Sequence, residues 1–314
     1  MTRAIITGVN GQDGIFLSRL LINNGYNVVG VGSQLVRSPH LPPQIEYSQC
    51  DIRDTKALFD ICQSFVPAEF YNLAGVSSVA ESFKRPKLTE EVNYLSVSQI
   101  LNELYSTSKF ASLKFFQASS SEMFGIAVSE PQNEDTPLKP VSPYAISKAM
   151  ALDECRNYRK AGFFVASNIM YNHESVYRPE TFVTRKVTKT IAQIKNGKAH
   201  RLKVGNIDAE RDWGFAGDFA NAAFLSMRTT MASDFVVATG VTHSVRDLIR
   251  FALDEVHLSG REKEIIEIDE SLFRPREINR LVGDSSKARF ELGWQPSKTF
   301  EDVIREMVSY DLIN

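Results

Sequence analysis

Thr7-Gly8-Val9-Asn10-Gly11-Gln12-Asp13-Gly14 stands between the apolar run Ala4-Ile5-Ile6 and a helical pattern over 12–25, and its reading decides the fold. A strand-to-helix turn built on glycines keeps Cβ atoms out of the way. Backbone N–H groups can then approach a pyrophosphate at the positive end of the helix. The spacing is GxxGxxG rather than the commoner GxGxxG. At the end of the first strand of a strand–helix–strand unit, it predicts a dinucleotide site made by Gly8, Asn10, Gly11, Gln12, Asp13 and Gly14.

Outward from this loop, short apolar runs alternate with helical patterns. Val28-Val29-Gly30-Val31, Phe70-Tyr71-Asn72-Leu73, Lys114-Phe115-Phe116-Gln117 and Val165-Ala166-Ser167-Asn168 read as buried strands. Residues 93–109 and 144–161 carry apolar side chains at helical spacing. The series predicts an α/β, Rossmann-type doubly wound parallel sheet with helices on both faces. After about residue 173 the alternation becomes irregular, with further helices at 244–256 and 300–311. A smaller, discontinuous C-terminal substrate domain is therefore expected. Residues 1–172, with a return at about 206–257, are assigned to cofactor binding, and 173–205 with 258–314 to the substrate.

The residues after the second strand bear on which dinucleotide binds. An acid there would hold the adenosine 2′-hydroxyl of NAD. This chain reads Gly32-Ser33-Gln34-Leu35-Val36-Arg37, with no carboxylate and one arginine, which suits the 2′-phosphate of NADP. Asp51-Ile52 closes a third strand, where a carboxylate can accept from the adenine amino group.

The chemistry concentrates in two segments. In Ser142-Pro143-Tyr144-Ala145-Ile146-Ser147-Lys148 a serine N-cap and a proline at the first helical position open a helix. Tyr144 and Lys148 then share a face at i and i+4, and an ammonium beside a phenol is expected to lower its pKa. Such a tyrosine exchanges a proton with a sugar hydroxyl while a nicotinamide takes the carbon-bound hydride. Gln117-Ala118-Ser119-Ser120-Ser121-Glu122 lies at the carboxyl end of a predicted strand, where open α/β sheets place their chemistry. The carboxylate of Glu122 suggests a second proton transfer beyond simple oxidation.

Composition sets the limits. The 314 residues are 43% hydrophobic and 24% charged with a net charge of −2, which gives no nucleic-acid footprint. No apolar run approaches the roughly 20 residues that span a bilayer. The N-terminus enters a strand pattern at once, which predicts no signal peptide. Cys50, Cys62 and Cys155 form neither a disulfide framework nor a metal motif, so a reducing cytoplasm is the expected compartment.

The chain resembles the extended short-chain dehydrogenase/reductases, and most closely the GDP-mannose 4,6-dehydratases, over essentially its whole length. The resemblance rests on the glycine loop, Ser142-Pro143-Tyr144-Ala145, Asn172-His173-Glu174-Ser175, and Glu180-Thr181-Phe182-Val183-Thr184-Arg185-Lys186. Gly205-Asn206-Ile207-Asp208-Ala209-Glu210-Arg211-Asp212-Trp213-Gly214 and Phe273-Arg274-Pro275-Arg276-Glu277 extend it. It implies that Tyr144 is the base, that Lys148 partners it and binds the nicotinamide ribose, that Glu122 removes a proton at C5, and that Ser120 binds near O4. Ser121 stands where related dTDP-sugar dehydratases carry an acid. Leu73, Ala74, Gly75, Ser77, His173 and Arg178 match cofactor contacts. Asn172, Lys186, Arg211, Arg274 and Glu277 match contacts to the GDP moiety. A homodimer or homotetramer is implied as well.

The chain departs from that family at several points. Ser120 replaces a threonine and keeps the hydroxyl. Gly75-Val76-Ser77-Ser78 stands for Ala-Gln-Ser-His, and Leu88 replaces a tyrosine that touches the cofactor. The loop after the second strand is cut to Ser33–Pro43, as in the related GDP-4-keto-6-deoxymannose reductases. Three readings follow: a GDP-sugar dehydratase acting on mannose or a C6-elaborated relative such as a mannoheptose; a reductase or epimerase of GDP-4-keto sugars; and a silent NADP-binding regulator. The intact Tyr144, Lys148 and Glu122 argue against the last.

Overall fold

The computed structural model describes residues 1–273 and 278–314. Arg274 and Glu277, matched to nucleotide contacts above, lie outside the described residues. The chain begins β1 (Arg3–Thr7), α1 (Gln12–Asn23), β2 (Asn27–Gly32), β3 (Glu46–Gln49), α2 (Thr55–Phe65) and β4 (Glu69–Asn72). It continues through α3 (Val79–Lys84), α4 (Pro86–Glu90), one π-helical turn (Glu91–Leu95), α5 (Ser96–Ser106), β5 (Lys114–Ser120), α6 (Pro143–Lys160) and β6 (Phe164–Met170). Then come β7 (Asn172–Glu174), α7 (Val183–Lys195), β8 (Leu202–Val204), β9 (Glu210–Phe215), α8 (Ala216–Ser226), β10 (Asp234–Val237), β11 (Thr242–Ser244) and α9 (Val245–Glu255). The last elements are α10 (Glu262–Ile265), β12 (Ile266–Ile268), β13 (Arg280–Leu281), α11 (Ser286–Leu292) and α12 (Phe300–Ile313).

Seven strands form one sheet in the order β10-β6-β5-β4-β1-β2-β3, every pairing parallel. Both faces are covered, so the central strands carry continuous apolar runs rather than alternation. Ile6, Tyr71, Phe116 and Ala166 pack on one face with α1 and α8, and Ile5, Phe70, Phe115 and Val165 on the other with α2, α5 and α6. The strand order reverses between β1 and β4, and there the chain ends of the two strands meet a ligand crevice. Gly8 sits at that point with φ +68°, and a Cβ on it would come within 2.8 Å of Ala74 backbone, so only glycine serves.

The helices start where their caps say. Ser142 Oγ accepts from Ala145 N at 3.1 Å with Pro143 in the first turn, which sets the first turn of α6 under Tyr144. Capping boxes open α9 (Ser244 with Asp247) and α12 (Thr299 with Asp302). The helix read over 93–109 begins instead as a π-turn, which turns Asn93 inward (1% exposed).

A second core holds the C-terminal half. Val187 and Ile191 of α7, Trp213 of β9, Leu248 and Ala252 of α9 and Phe300, Ile304 and Met307 of α12 make one cluster. Here the structure corrects the sequence-based assignment. Within 206–257 only α8 and β10 return to the main sheet. β9 pairs with β7, β11 and β13, and α9 packs on α7 and α12. In exchange α11, expected with the substrate part, lies on β10 and α8. Trp294 just beyond it is fully buried, donating Nε1 to Asp218 O at 2.7 Å, and truncation to alanine there should cost about 3–5 kcal/mol. β7 starts two residues after β6, so the crevice wall passes directly from the first core to the second. No helix among the described residues is long and apolar enough to cross a membrane.

Candidate active site

A cavity of about 410 Å³ opens between the two cores, above the carboxyl ends of β4, β5 and β6. Its wall includes Asp13, Leu73, Gly75, Ser77, Ser120, Ser121, Glu122, Tyr144, Lys148, Asn172, His173, Arg178, Lys186 and Arg211. These residues come from seven parts of the chain. Among the described residues, no cluster of three His, Cys, Asp or Glu side chains is arranged to hold a metal ion.

The catalytic segment is set by a turn. After β5 the chain makes one 3₁₀ turn, Ser121–Phe124, capped by Ser120 Oγ accepting from Glu122 N at 3.3 Å. It ends on Gly125, φ +56°, where a Cβ would lie 1.7 Å from Lys139 O. Glu122 is thereby held buried in the wall, its Oε1 4.0 Å from Arg211 Nε.

Tyr144 faces it from α6. Burial pushes this phenol up to about 12; the Ser120 hydroxyl lowers it, Glu122 raises it, and Arg178 lowers it further. Lys148, expected to depress it, is not among these influences. The ammonium of Lys148 donates instead to Ala118 O at 2.8 Å, and burial drives its own pKa down to about 8. The ammonium is thus directed at that carbonyl rather than at the phenol.

The glycine loop fits a dinucleotide. Gly11 leaves the first turn of α1 without a side-chain cap, so its N–H groups are open to a phosphate. Gln12 does not point to this opening: it donates to His173 O at 2.9 Å and accepts from Ser175 Oγ at 2.8 Å, tying the loop to β7. Asp13 meets His173 Nε2 at 3.0 Å, while His173 Nδ1 donates to Tyr171 O at 2.7 Å. Burial alone would raise Asp13, but His173 and then Arg178 reverse this, and its pKa lies below the ordinary carboxylate value. Arg178 is aimed by Glu174, which accepts from its Nε at 2.8 Å, and by the His173 carbonyl. Gly14 lies where a Cβ would strike Val9 O at 2.4 Å, which allows α1 to pack closely on β1.

The adenosine end is built differently from its sequence reading. Asn10 does not reach the cavity; its Nδ2 donates to Gln34 Oε1 (2.9 Å) and its Oδ1 accepts from Ser38 N (2.8 Å), folding the loop after β2. Arg37 turns into the same loop, donating to the carbonyls of Ile45, Leu41 and Pro42 at 3.1, 3.2 and 2.7 Å. Its guanidinium, read as a phosphate ligand, is engaged as a loop brace, because three carbonyls converge where the loop is cut short. Asp51 is locked to Arg53 at 2.7 Å, and Arg53 lowers its pKa. Ile52 is buried beneath.

Three features had no clear signal in the sequence. Asn93 accepts from Val76 N at 2.8 Å and donates to Val76 O at 3.0 Å, which holds the Leu73–Ser77 loop at the cavity. Ala74 N donates to Thr7 Oγ1 at 3.3 Å from the other side. Ser119 Oγ is buried at the cavity wall without a hydrogen-bond partner among the described residues.

A parallel sheet with a glycine-rich first crossover, a buried Tyr144/Lys148 pair and a carboxylate facing them defines a dehydrogenase-type enzyme of the extended short-chain class. Residues 5–307 match the family model described as GDP-mannose 4,6 dehydratase. GDP-mannose 4,6 dehydratase 2 of Arabidopsis thaliana is 38% identical over 98% of this chain and 86% of its own length. The GDP-mannose 4,6-dehydratase of Vibrio cholerae is 36% identical over 99% and 94%. The chain belongs to the GDP-mannose 4,6-dehydratase family. In fold it is similar to the UDP-glucose 4-epimerase of Thermotoga maritima (TM-score 0.88, 21% identity, 98% of each chain). It is also similar to RMD from Pseudomonas aeruginosa, solved with NADPH (TM-score 0.83, 25% identity, 100% of this chain and 99% of that one).

Proposed function

We infer that the chain converts GDP-mannose, or a close GDP-sugar, into its 4-keto-6-deoxy product with loss of water. The observation that carries this reading is Glu122, a buried carboxylate on the same cavity wall as Tyr144, Ser120 and Lys148. Simple oxidation needs one base, and this wall carries two.

A nicotinamide held beside Tyr144 and Lys148 would supply the hydride chemistry, as acceptor from C4 and donor to C6. Tyr144 accepts the C4 hydroxyl proton, with Ser120 bonded to O4 and Lys148 set by Ala118 behind them. The resulting ketone acidifies the C5–H, and Glu122 removes it. The C6 hydroxyl then departs as water with the proton that Glu122 has taken, and C5 regains a proton from solvent. Asn172, Lys186 and Arg211 bind the GDP moiety; Arg and Lys complement a diphosphate by fork and by point charge. NADP is the cofactor favoured, since Gly32-Ser33-Gln34 leaves no carboxylate to meet a 2′-phosphate. Leu73, Gly75, Ser77, His173 and Arg178 hold its nicotinamide half, and the N–H groups of Gln12 and Asp13 its pyrophosphate, since Gly11 N already donates to Gly8 O. A cytoplasmic homodimer or homotetramer goes with this reading.

The short Ser33–Pro43 loop favours a second reading, a GDP-4-keto-sugar reductase. One assay separates them: GDP-mannose with NADP well below its concentration. A dehydratase turns over many times and leaves NADP oxidised. A protein that gives no 4-keto product, and consumes NADPH with a 4-keto sugar, is the reductase.

A further inference from the structure

Glu174 ends β7, where the cavity wall passes from the first core to the second, and its pairing with Phe215 of β9 fixes where its side chain starts. The residue is only 2% exposed. A carboxylate buried this deeply needs partners that compensate it. One oxygen, Oε2, has two of them. It accepts from Arg178 Nε at 2.8 Å and from Thr184 Oγ1 at 2.7 Å.

These two partners lead to different ligands. Arg178 lines the cavity on the side read as the cofactor's. Its guanidinium lies over the ring of Phe182, 4.7 Å from the centroid, and Phe182 is the N-cap residue of α7. Thr184 stands in the first turn of that helix, which brings Lys186 to the same cavity for the sugar nucleotide. α7 begins without a side-chain cap. The Glu174 carboxylate, held to the first turn through the Thr184 hydroxyl, supplies negative charge where the helix dipole is positive.

We propose that Glu174 is a positioning residue for both ligands at once: a single carboxylate oxygen sets the guanidinium that meets the cofactor and the helical turn that presents Lys186 to the sugar nucleotide. The two contacts are thereby held in one fixed relation. A reaction between two bound molecules is sensitive to misplacement of about 1 Å, so a common anchor serves the chemistry as well as the fold. The inference rests, through Lys186, on the GDP-sugar reading above.

Separate calorimetric titrations of NADP and of GDP test it, in wild type, Glu174→Leu and Thr184→Val, each well below its melting temperature. Glu174→Leu removes both bonds and should weaken NADP and GDP alike, each by roughly three- to thirtyfold, the range for residues in one hydrogen-bonded network. Thr184→Val removes only the hydroxyl and should weaken GDP while leaving NADP unchanged. If Glu174→Leu does not fold by circular dichroism, Glu174→Gln takes its place, with smaller losses of the same kind. Weakening of one ligand alone by the Glu174 variant overturns the proposal. So does a variant that melts lower yet binds both ligands as wild type does, since the anchor would then be structural only. GDP affinity unchanged in Thr184→Val overturns it as well. Wild type that binds NADP and no GDP overturns the substrate reading itself, a different failure.

Discussion

Lys148 Nζ donates to the carbonyl oxygen of Ala118 at 2.8 Å, from α6 across to β5, one residue before the serine trio. The bond fixes the ammonium under the cavity floor, and burial leaves its pKa near 8 while that of Tyr144 stands near 12. Neither group is at its ordinary value, and each is displaced toward its neutral form.

That displacement has a stability consequence. The folded pKa of Lys148 lies below the ordinary 10.5, so below about pH 8 the folded protein holds a poorly solvated charge. As pH rises from 8 toward 10.5 the folded state sheds this proton first, and the cost fades. Lys148→Met should therefore be more stable than wild type at pH 7, by up to about 3 kcal/mol less the lost bond to Ala118. The gain should shrink toward pH 10 in urea unfolding without nucleotide, while activity is lost at every pH. A constant difference across pH 7–10 would show that the ammonium is not strained by burial.

Asp13→Asn removes the carboxylate that meets His173 Nε2 at 3.0 Å and should cost about 1.5–3 kcal/mol at pH 7, as for hydrogen bonds to charged groups. Asp13 has a folded pKa below its ordinary value, so its contribution is present above pH 4 and is lost as pH falls through the folded value. The gap between variant and wild type should close below about pH 4. Melting temperatures from pH 3 to pH 7 read this directly, and a gap that does not close places the pair's energy elsewhere.

Asn93→Ala strips Val76 of both backbone partners at a buried site and should cost about 1–3 kcal/mol. Because the Leu73–Ser77 loop then loosens, affinity for NADP should fall with it. Unchanged affinity by titration would mean this loop does not touch the cofactor.

The features legible in the sequence are local ones. Gly8 to Gly14, Tyr144 with Lys148, and Ser119 to Glu122 each lie within one loop or one helical turn, so spacing alone exposes them. Asn93 and Val76 are 17 residues apart, and Asp13 and His173 are 160 apart. Such partners depend on topology, which spacing does not encode. Arg37 misleads for the same reason: a cation in a loop looks available until the loop folds and its carbonyls converge. The split of 206–257 follows from β9 pairing with β7 rather than joining the main sheet, a choice made by strand pairing at long range.

The central claim is that Glu122 and Tyr144 divide two proton transfers on one sugar, and Glu122→Gln tests it most directly. The amide keeps size and hydrogen bonding but accepts no proton, so elimination should slow by roughly 10²–10⁴-fold. Oxidation at C4 should survive. On adding GDP-mannose to the variant with NADP, the absorbance of reduced nicotinamide should rise and persist, whereas wild type in D₂O should return a 4-keto product deuterated at C5. Normal turnover by Glu122→Gln, or a wild-type product without deuterium at C5, would contradict the account.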